Sequence, residues 1–278
     1  MANVDIFALK KKAIEIRKDI LKMLTLAGSG HTGGSLSLVE ILLTLYYLKL
    51  RHDPKNPNSP SRDRFLLSKG HGCPALYAVL ADRGYFPRDI LWTLRKLGSP
   101  LQGHPQLGLP GLEASSGSLG QGLSIAGGMC LAARLDKLNI RVYCVLGDGE
   151  TNEGQIWEAA MTAAHYRLGS LCAIIDYNEL QIDDFCCKVK DMTPYIHKWE
   201  SFGWNVMETD GHDIEKLKGS LDKAEEVNDK PTVIIAHTVK GKGVSFIERK
   251  VEWHGVAPKQ EEYERAVKEL DEALQKLK

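Results

Sequence analysis

The sequence has 278 residues, of which 43% are hydrophobic and 26% are charged, a composition typical of a globular domain with a large apolar core. Its 36 lysines and arginines are balanced by 36 acidic residues, so there is no basic excess to neutralise phosphates and we expect no nucleic-acid binding. Apolar runs stay shorter than the roughly 18–20 residues that cross a bilayer, because Glu40 interrupts the longest one, so we expect no membrane partner.

The chain opens on an amphipathic pattern. Residues 5–27 place apolar side chains at helical spacing among charges, which predicts a helix of the mature protein rather than a secretory leader. A second apolar helical stretch is predicted from about residue 36 to residue 50, and a loop rich in Pro, Asn and Ser follows at residues 53–60.

Short apolar runs of strand length then recur, separated by segments of helix length. They occupy residues 64–68, 142–146, 171–176, 205–209 and 231–237. Strands that alternate with helices predict the α/β class, with a mostly parallel sheet flanked by helices in a single three-layer domain over residues 1–278. Asp213 is a predicted N-cap of one crossover helix, and Pro258 precedes a C-terminal helix at about 259–278.

Glycines at positions 28, 30 and 33 match the spacing of the dinucleotide-binding fingerprint. That fingerprint follows a strand, whereas these glycines follow a predicted helix. We therefore expect Gly28 to cap the helix and exclude a Rossmann nicotinamide site.

Polar residues follow two of the predicted strands at their carboxyl ends. Gly147-Asp148-Gly149 closes the strand at 142–146, and Asn178 follows the strand at 171–176. Open parallel sheets bind ligands at this edge. One carboxylate, one amide and a loop carbonyl suit Mg²⁺ or Ca²⁺, with phosphate oxygens as the missing ligands, although Asp148 could instead only cap the helix predicted at 155–168.

Four histidines sit beside glycines in predicted loops: His31, His71, His104 and His254. A loop histidine is ordinarily a hydrogen-bonding residue, but four such pairs in one chain favour a shared site. His71 follows the strand at 64–68 and should face the same edge as Asp148 and Asn178. Neutral imidazoles there could donate to a diphosphate and to sugar hydroxyls.

A glycine-dense turn at residues 115–122 opens a helix predicted to run to about Lys137. Its glycines allow the backbone to approach either a flat ligand or a neighbouring helix. Elsewhere, six cysteines lack Cys-x-x-Cys spacing, which predicts reduced thiols and a cytoplasmic location. We expect the adjacent Cys186 and Cys187 to pack rather than react.

Together these residues resemble the thiamine diphosphate enzymes, in which Gly-Asp-Gly is followed about thirty residues later by Asn. Within that group the chain resembles transketolase. The matching segments are residues 29–31, 68–71, 103–105, 117–122, 147–149, 178–183, 240–243 and 254–255. Thr32 departs from the pattern, since many members have proline there.

The resemblance implies a thiamine diphosphate-binding fold, thiamine diphosphate as cofactor, and Mg²⁺ with Ca²⁺ or Mn²⁺ as substitutes. The implied metal ligands are Asp148, Asn178 and the Leu180 carbonyl, and the implied catalytic residues are His31, His71, His104 and His254. The residues implied in cofactor binding are His71, Gly117, Ser118, Leu119, Asp148, Gly149, Glu153, Asn178 and His254.

The resemblance also divides these roles. His71, Gly149 and His254 would contact the diphosphate, and the backbone of Gly117 and Leu119 would meet the aminopyrimidine. The donor-sugar channel would be lined by His31, His104 and His254. Glu153 matches a structural acid near the activating glutamate of the partner domain.

The implied activity is transfer of a two-carbon ketol unit from a ketose phosphate to an aldose phosphate, as in the pentose phosphate pathway. A transketolase chain normally continues into a pyrimidine-binding domain, so this chain resembles the N-terminal subunit of a split, α₂β₂ transketolase. The C-terminal subunit would carry the activating glutamate. Alternatives are the α subunit of a 2-oxoacid dehydrogenase E1, a deoxyxylulose phosphate synthase, a branched-sugar transketolase and a non-catalytic thiamine diphosphate binder.

Overall fold

Five parallel strands form the centre of the structure, a computed structural model that describes residues 5–277. They are β1 (Arg64–Leu67), β2 (Val142–Gly147), β3 (Leu171–Tyr177), β4 (Asn205–Asp210) and β5 (Thr232–His237). The strand order is β1-β2-β3-β5-β4, and every pairing is parallel. The predicted strands are confirmed with bounds that differ by one residue, and so is the mostly parallel sheet.

Helices cover both faces of this sheet. They are α1 (Ile6–Ala27), α2 (Thr32–Leu36), α3 (Val39–Thr44), α4 (Cys73–Asp82), α5 (Gln121–Leu135), α6 (Gly154–His165), α7 (Cys186–Val189), α8 (Tyr195–Ser201), α9 (Ile214–Glu226) and α10 (Gln260–Lys276). Short 3₁₀ turns lie at Gly70–Gly72, Arg88–Thr93, Gly149–Asn152 and Val251–Trp253.

Alternate residues of the central strand β2 enter two separate cores. Tyr143 and Val145 pack into the core that α1, α3, α4, α9 and α10 complete. Cys144 and Leu146 pack into the opposite core, which α5, α6 and α8 complete. A strand buried on both faces has no polar side to show, which explains its continuous apolar sequence. The three-layer α/β architecture is therefore confirmed.

The predicted helix ends are present where a side chain or a glycine determines them. Asp213 accepts hydrogen bonds from the amides of Glu215 and Lys216 at 3.0 and 3.1 Å, which caps α9. Gly28 adopts φ 63° after α1, and its amide donates to the Leu24 carbonyl at 3.0 Å. The cap predicted at Gly28 is therefore confirmed.

The single helix expected over residues 36–50 is wrong. Leu36 ends α2, the chain turns at Ser37, α3 covers Val39–Thr44, and a π-helix spans Leu45–Lys49. The turn has a tertiary cause, because the Ser37 hydroxyl donates to the Asp176 carboxylate at 2.6 Å at the end of β3. The C-terminal helix is observed as Gln260–Lys276, while residues 1–4 and 278 of the predicted domain lie outside the described residues.

Within residues 5–277, none of the helices has the length and apolarity needed to cross a membrane. The six cysteines are free thiols, of which Cys187 is exposed and Cys186 half-buried.

Candidate active site

The carboxyl edge of the sheet borders a pocket of about 290 Å³. It collects residues from the ends of β1, β2, β3 and β5 and from the loops before α2 and α5. Of the predicted site residues, it is lined by His31, His71, His104, Gly117, Leu119, Asp148, Gly149, Glu153, Asn178, Leu180 and His254. Residues far apart in sequence therefore meet in one cavity, as expected for a parallel sheet.

The four predicted histidines form a cluster in this pocket. The His31 ring lies 5.2 Å from that of His71, 6.0 Å from that of His104 and 5.5 Å from that of His254, measured between ring centroids. Burial and neighbouring positive charges lower the pKa of His31 to about 4 and that of His254 to about 3. The pKa of His71 and of His104 also falls, chiefly because of burial. The cluster is therefore neutral at physiological pH.

The predicted metal ligands share one wall of the pocket. The Asp148 carboxylate accepts hydrogen bonds from the amides of Gly149, at 2.8 Å, and of Glu179. The Asn178 side-chain oxygen accepts from the Leu180 amide at 3.2 Å. Burial, with the Asp176 charge beside it, raises the pKa of Asp148 to about 6. The Asp148 carboxylate is thus held in place by amides, and a cation in contact with it would favour its ionised form.

The donor set fits a hard cation shared with an anionic ligand. Within residues 5–277, His, Cys, Asp and Glu side chains form no group of three that could hold a metal. A cation beside Asp148 would therefore take its other ligands from the Asn178 amide, the Leu180 carbonyl and oxygens of another molecule. Two buried nitrogens at the pocket, His31 Nδ1 and Gln181 Nε2, lack a hydrogen-bond partner in the described part of the chain, so the pocket has polar capacity for a ligand.

Two lysines contribute charges to the pocket that the sequence prediction did not assign. Lys69 Nζ pairs with the buried Asp176 carboxylate, and Lys240 Nζ donates to the Leu180 carbonyl at 3.1 Å and to His254 Nδ1 at 2.7 Å. Both lysines lie within the matching segments and follow the ends of β1 and β5. Their position after strands of the same sheet was the signal that could have identified them.

The buried Glu150 joins three loops around the pocket. Its carboxylate accepts hydrogen bonds from the Ser68 hydroxyl, from the Gly120 amide at 2.9 Å and from the Gly147 amide at 3.0 Å. Gly117 has φ 141°, and a β-carbon there would lie 2.9 Å from the His104 ring. The glycine-rich turn therefore lies directly against the histidine cluster.

Three further positions complete the comparison with the sequence prediction. Ser118 is exposed and does not line the pocket, whereas the exposed Glu153 lies at its edge. Thr32, the departure from the family pattern, donates through its hydroxyl to the Val256 carbonyl at 2.6 Å. This bond joins the His31 loop to the segment that carries His254.

Comparison with known proteins assigns the chain to a family, by sequence and by structure. The model of the transketolase thiamine diphosphate binding domain matches residues 9–273. A 6-deoxy-6-sulfo-D-fructose transketolase subunit of Clostridium sp. (strain MSTE9) is 45% identical over 95% of this chain and 96% of its own length. One subunit of the apulose-4-phosphate transketolase of Phocaeicola vulgatus is 42% identical over 94% of this chain and 93% of its own.

A solved transketolase from Campylobacter jejuni superposes with a TM-score of 0.91 at 31% identity. The superposition covers 96% of this chain and 43% of the Campylobacter chain, so this chain spans less than half of that enzyme. These matches define the class as a thiamine diphosphate-binding domain. The chain belongs to the transketolase family.

Proposed function

We propose that this chain is the diphosphate-binding subunit of a two-chain transketolase, which transfers a two-carbon ketol unit from a ketose to an aldose. The observation that carries the proposal is the cluster of four histidines beside Asp148, Asn178 and Leu180 in one pocket. The histidine cluster disfavours a 2-oxoacid dehydrogenase α subunit, and the intact oxygen set disfavours a non-catalytic binder.

Asp148, Asn178 and the Leu180 carbonyl would hold Mg²⁺, and Ca²⁺ or Mn²⁺ would suit the same oxygens. His71, Gly149 and His254 would hold the diphosphate, with Lys69 and Lys240 supplying positive charge. The backbone of Gly117 and Leu119 would meet the aminopyrimidine, with Ser118 between them outside the pocket, and Glu153 would lie at the subunit boundary. When bound, thiamine diphosphate supplies a nucleophilic thiazolium carbon that accepts the ketol fragment.

The histidines would bind the sugar as neutral donors and acceptors. His254 Nδ1 accepts from Lys240, so its Nε2 carries the proton and can donate to a sugar hydroxyl. His31 Nδ1 has no partner among the described residues and is available to a second hydroxyl. His31 and His104 would orient the donor, since the neutral state of each ring offers one donor and one acceptor.

The partner would be a C-terminal subunit with the pyrimidine-binding domain and the activating glutamate, in an α₂β₂ assembly. The proposal is supported by the relatives of similar length, whose names describe them as subunits. The reduced cysteines favour a cytoplasmic location.

The substrates would be sugars with an anionic terminal group. The two relatives named above act, by their names, on a sulfonated ketose and on a branched sugar phosphate. Pentose phosphates are the third candidate. A sulfonate and a phosphate present the same kind of anionic oxygens, so these candidates must be separated by assay rather than by charge.

The test is to purify the chain with its natural partner and assay it in thiamine diphosphate and Mg²⁺. The donors would be fructose 6-phosphate, xylulose 5-phosphate, 6-deoxy-6-sulfo-D-fructose and apulose 4-phosphate, each with an aldose phosphate acceptor, and pyruvate would serve as the comparison. Ketol transfer from at least one sugar is expected. Decarboxylation of pyruvate without ketol transfer would contradict the proposal.

A further inference from the structure

A strained arginine lies behind the histidine cluster. Arg95 has φ 60°, a left-handed conformation that few residues other than glycine adopt. The preceding Leu94 is buried, and the Arg95 amide donates to the carbonyl of the buried Leu101 at 2.8 Å. The loop therefore fixes the backbone position of Arg95, from which its side chain extends.

The guanidinium of Arg95 packs against the two glycines that precede His31 and His104. A β-carbon on Gly103 would meet three atoms of this group, Cζ and Nη2 at 2.5 Å and Nε at 2.7 Å. A β-carbon on Gly30 would lie 3.8 Å from Nε of the same arginine. The guanidinium therefore occupies the space that a side chain at position 103 would need, whereas at position 30 that space is filled by Leu24 and the arginine is only in van der Waals contact.

The charge of this guanidinium is not neutralised by a carboxylate. Among the residues that the structure describes, it makes neither an ion pair nor a side-chain hydrogen bond. By contrast Arg88, at the start of the preceding 3₁₀ turn, forms a two-pronged pair with Asp19 at 2.7 and 3.0 Å. Arg95 is half-buried and does not line the pocket itself, so any influence on a ligand passes through the histidines.

We propose that Arg95 is a positioning residue, which fixes the loops carrying His31 and His104 and places an unpaired positive charge behind both imidazoles. The inference rests on the proposed function, in which these rings bind the donor sugar. A positive charge at this place disfavours the imidazolium form and so preserves the acceptor nitrogen of each ring.

The charges around the two rings agree with this role. After burial, Arg95 is the largest cause of the lowered pKa of both His31 and His104. Lys240 and Lys69 are the other cations that face His31, and the neutral rings of His71, His104 and His254 surround it as well. For His104, Arg95 is the charge that accompanies burial.

The first test is the titration of the two histidines in the full chain, followed by NMR with labelled histidine and assigned by His31→Gln and His104→Gln. In Arg95→Ala we expect the pKa of both rings to rise by about one unit, because a nearby positive charge is lost. Arg95→Lys keeps the charge and should retain most of the lowered pKa. Lys96→Ala, which removes an exposed neighbouring charge, is the matched control and should change neither ring.

The second test addresses the packing against Gly103. Gly103→Ala should displace the guanidinium and raise the pKa of His104 when Arg95 is present. In the Arg95→Ala background the same change should have little further effect, which a double-mutant cycle measures. Effects that simply add would show that the contact between Arg95 and Gly103 has no role.

Kinetics of the assembled complex provide the functional readout. Arg95→Ala should reduce kcat about tenfold at pH 7 with cofactor affinity unchanged, because misplaced rings orient the donor poorly. The acid limb of the pH profile should move to higher pH, because the two rings are protonated more easily without the positive charge. Arg95→Lys should restore the acid limb. If both rings keep their pKa values in a folded Arg95→Ala variant, the inference about Arg95 is overturned. If the wild-type complex shows no ketol transfer, only the proposed function is overturned.

Discussion

Asp148 has the one carboxylate that we assign to the metal, and backbone amides already hold both of its oxygens. We predict that Asp148→Ala lowers the affinity for thiamine diphosphate in Mg²⁺ by more than about 100-fold. The reason is that even substitutions of residues that only hydrogen-bond to a metal's ligands lower the affinity for the metal about 10–100-fold. Titration calorimetry of the assembled complex, with and without Mg²⁺, measures the change.

Asp183→Ala is the matched control for this experiment, because Asp183 is an exposed carboxylate in the neighbouring loop, which follows β3. It should bind the cofactor as the wild type does. If Asp148→Ala retained a normal Mg²⁺ dependence, the metal would have to lie elsewhere.

His104 and His71 should separate by function. We predict that His104→Ala reduces kcat/KM for the donor about three- to tenfold, the value of one neutral hydrogen bond, with little change in cofactor affinity. His71→Ala should instead weaken cofactor binding by a similar factor. Steady-state kinetics and calorimetry on both variants test this division, and equal loss of cofactor affinity in both would contradict it.

At the scale of single residues, the sequence was most informative where a residue type is unusual for its place. Asp148 and Asn178 stand out because polar residues directly follow buried strands, and they do share the pocket. Arg95 carried no such signal, since its contact with Gly103 depends on where the loop folds back. Lys69 was visible as a motif residue, but its pairing with Asp176 requires the register of β1, β2 and β3.

At the scale of elements, Glu150 connects the ends of β1 and β2 to the start of α5. We predict that Glu150→Gln lowers the free energy of unfolding by about 2–3 kcal/mol, because the new amide cannot accept from all three donors. Urea unfolding measures the loss. Glu158→Gln, on the exposed face of α6, should leave the midpoint unchanged, and an equal effect of both would contradict the role of Glu150.

A second connection joins α1 to α3 and to the turn before α9. Glu40 forms a buried, two-pronged pair with Arg17 at 2.7 and 2.8 Å and accepts from His212 Nδ1 at 2.9 Å. Burial opposes ionisation, but Arg17 and His212 lower the pKa of Glu40 to about 2. The lowered pKa stabilises the fold above pH about 4.5, and this stabilisation is lost as the pH falls toward 2.

We therefore predict that Glu40→Gln costs about 3 kcal/mol at neutral pH, because Arg17 is left buried without its partner. The difference from the wild type should shrink as the pH falls from about 4.5 toward 2. Urea unfolding at several pH values measures it, with the exposed Glu261→Gln as control. A difference that stays constant with pH would show that Glu40 is not ionised in the folded protein.

Helices and strands were predictable from the sequence where local residues determine their position and their ends. The five strands follow from apolar runs buried on both faces, and Asp213 and Gly28 mark helix ends through local chemistry. The break at Ser37 was not predictable, because the hydrogen bond that causes it is made to Asp176, on a distant strand.

At the scale of the whole molecule, the order of the strands is what creates the site. β1, β2, β3 and β5 are adjacent, so the residues after each strand converge on one pocket. The sequence predicted the three layers and the location of the site at the carboxyl edge of the sheet, because alternating strands and helices are compatible with few topologies. It could not predict that the His31 ring would lie within 6.0 Å of the other three histidine rings, since loops determine those distances.

We propose that the whole molecule is one of the two chains of a two-chain enzyme. It spans 43% of the Campylobacter transketolase chain, while subunits of its own length are among its relatives. The carboxylate that activates the cofactor's aminopyrimidine would lie on the partner. We therefore expect light scattering of the mixed subunits to give an α₂β₂ mass.

The most direct measurement of that claim is a ketol-transfer assay with this chain alone, with the partner alone and with both mixed, in saturating thiamine diphosphate and Mg²⁺. We predict turnover in the mixture and none from either chain by itself, with activity reaching its maximum at equal amounts of the two. Full activity from this chain alone would contradict the two-chain enzyme.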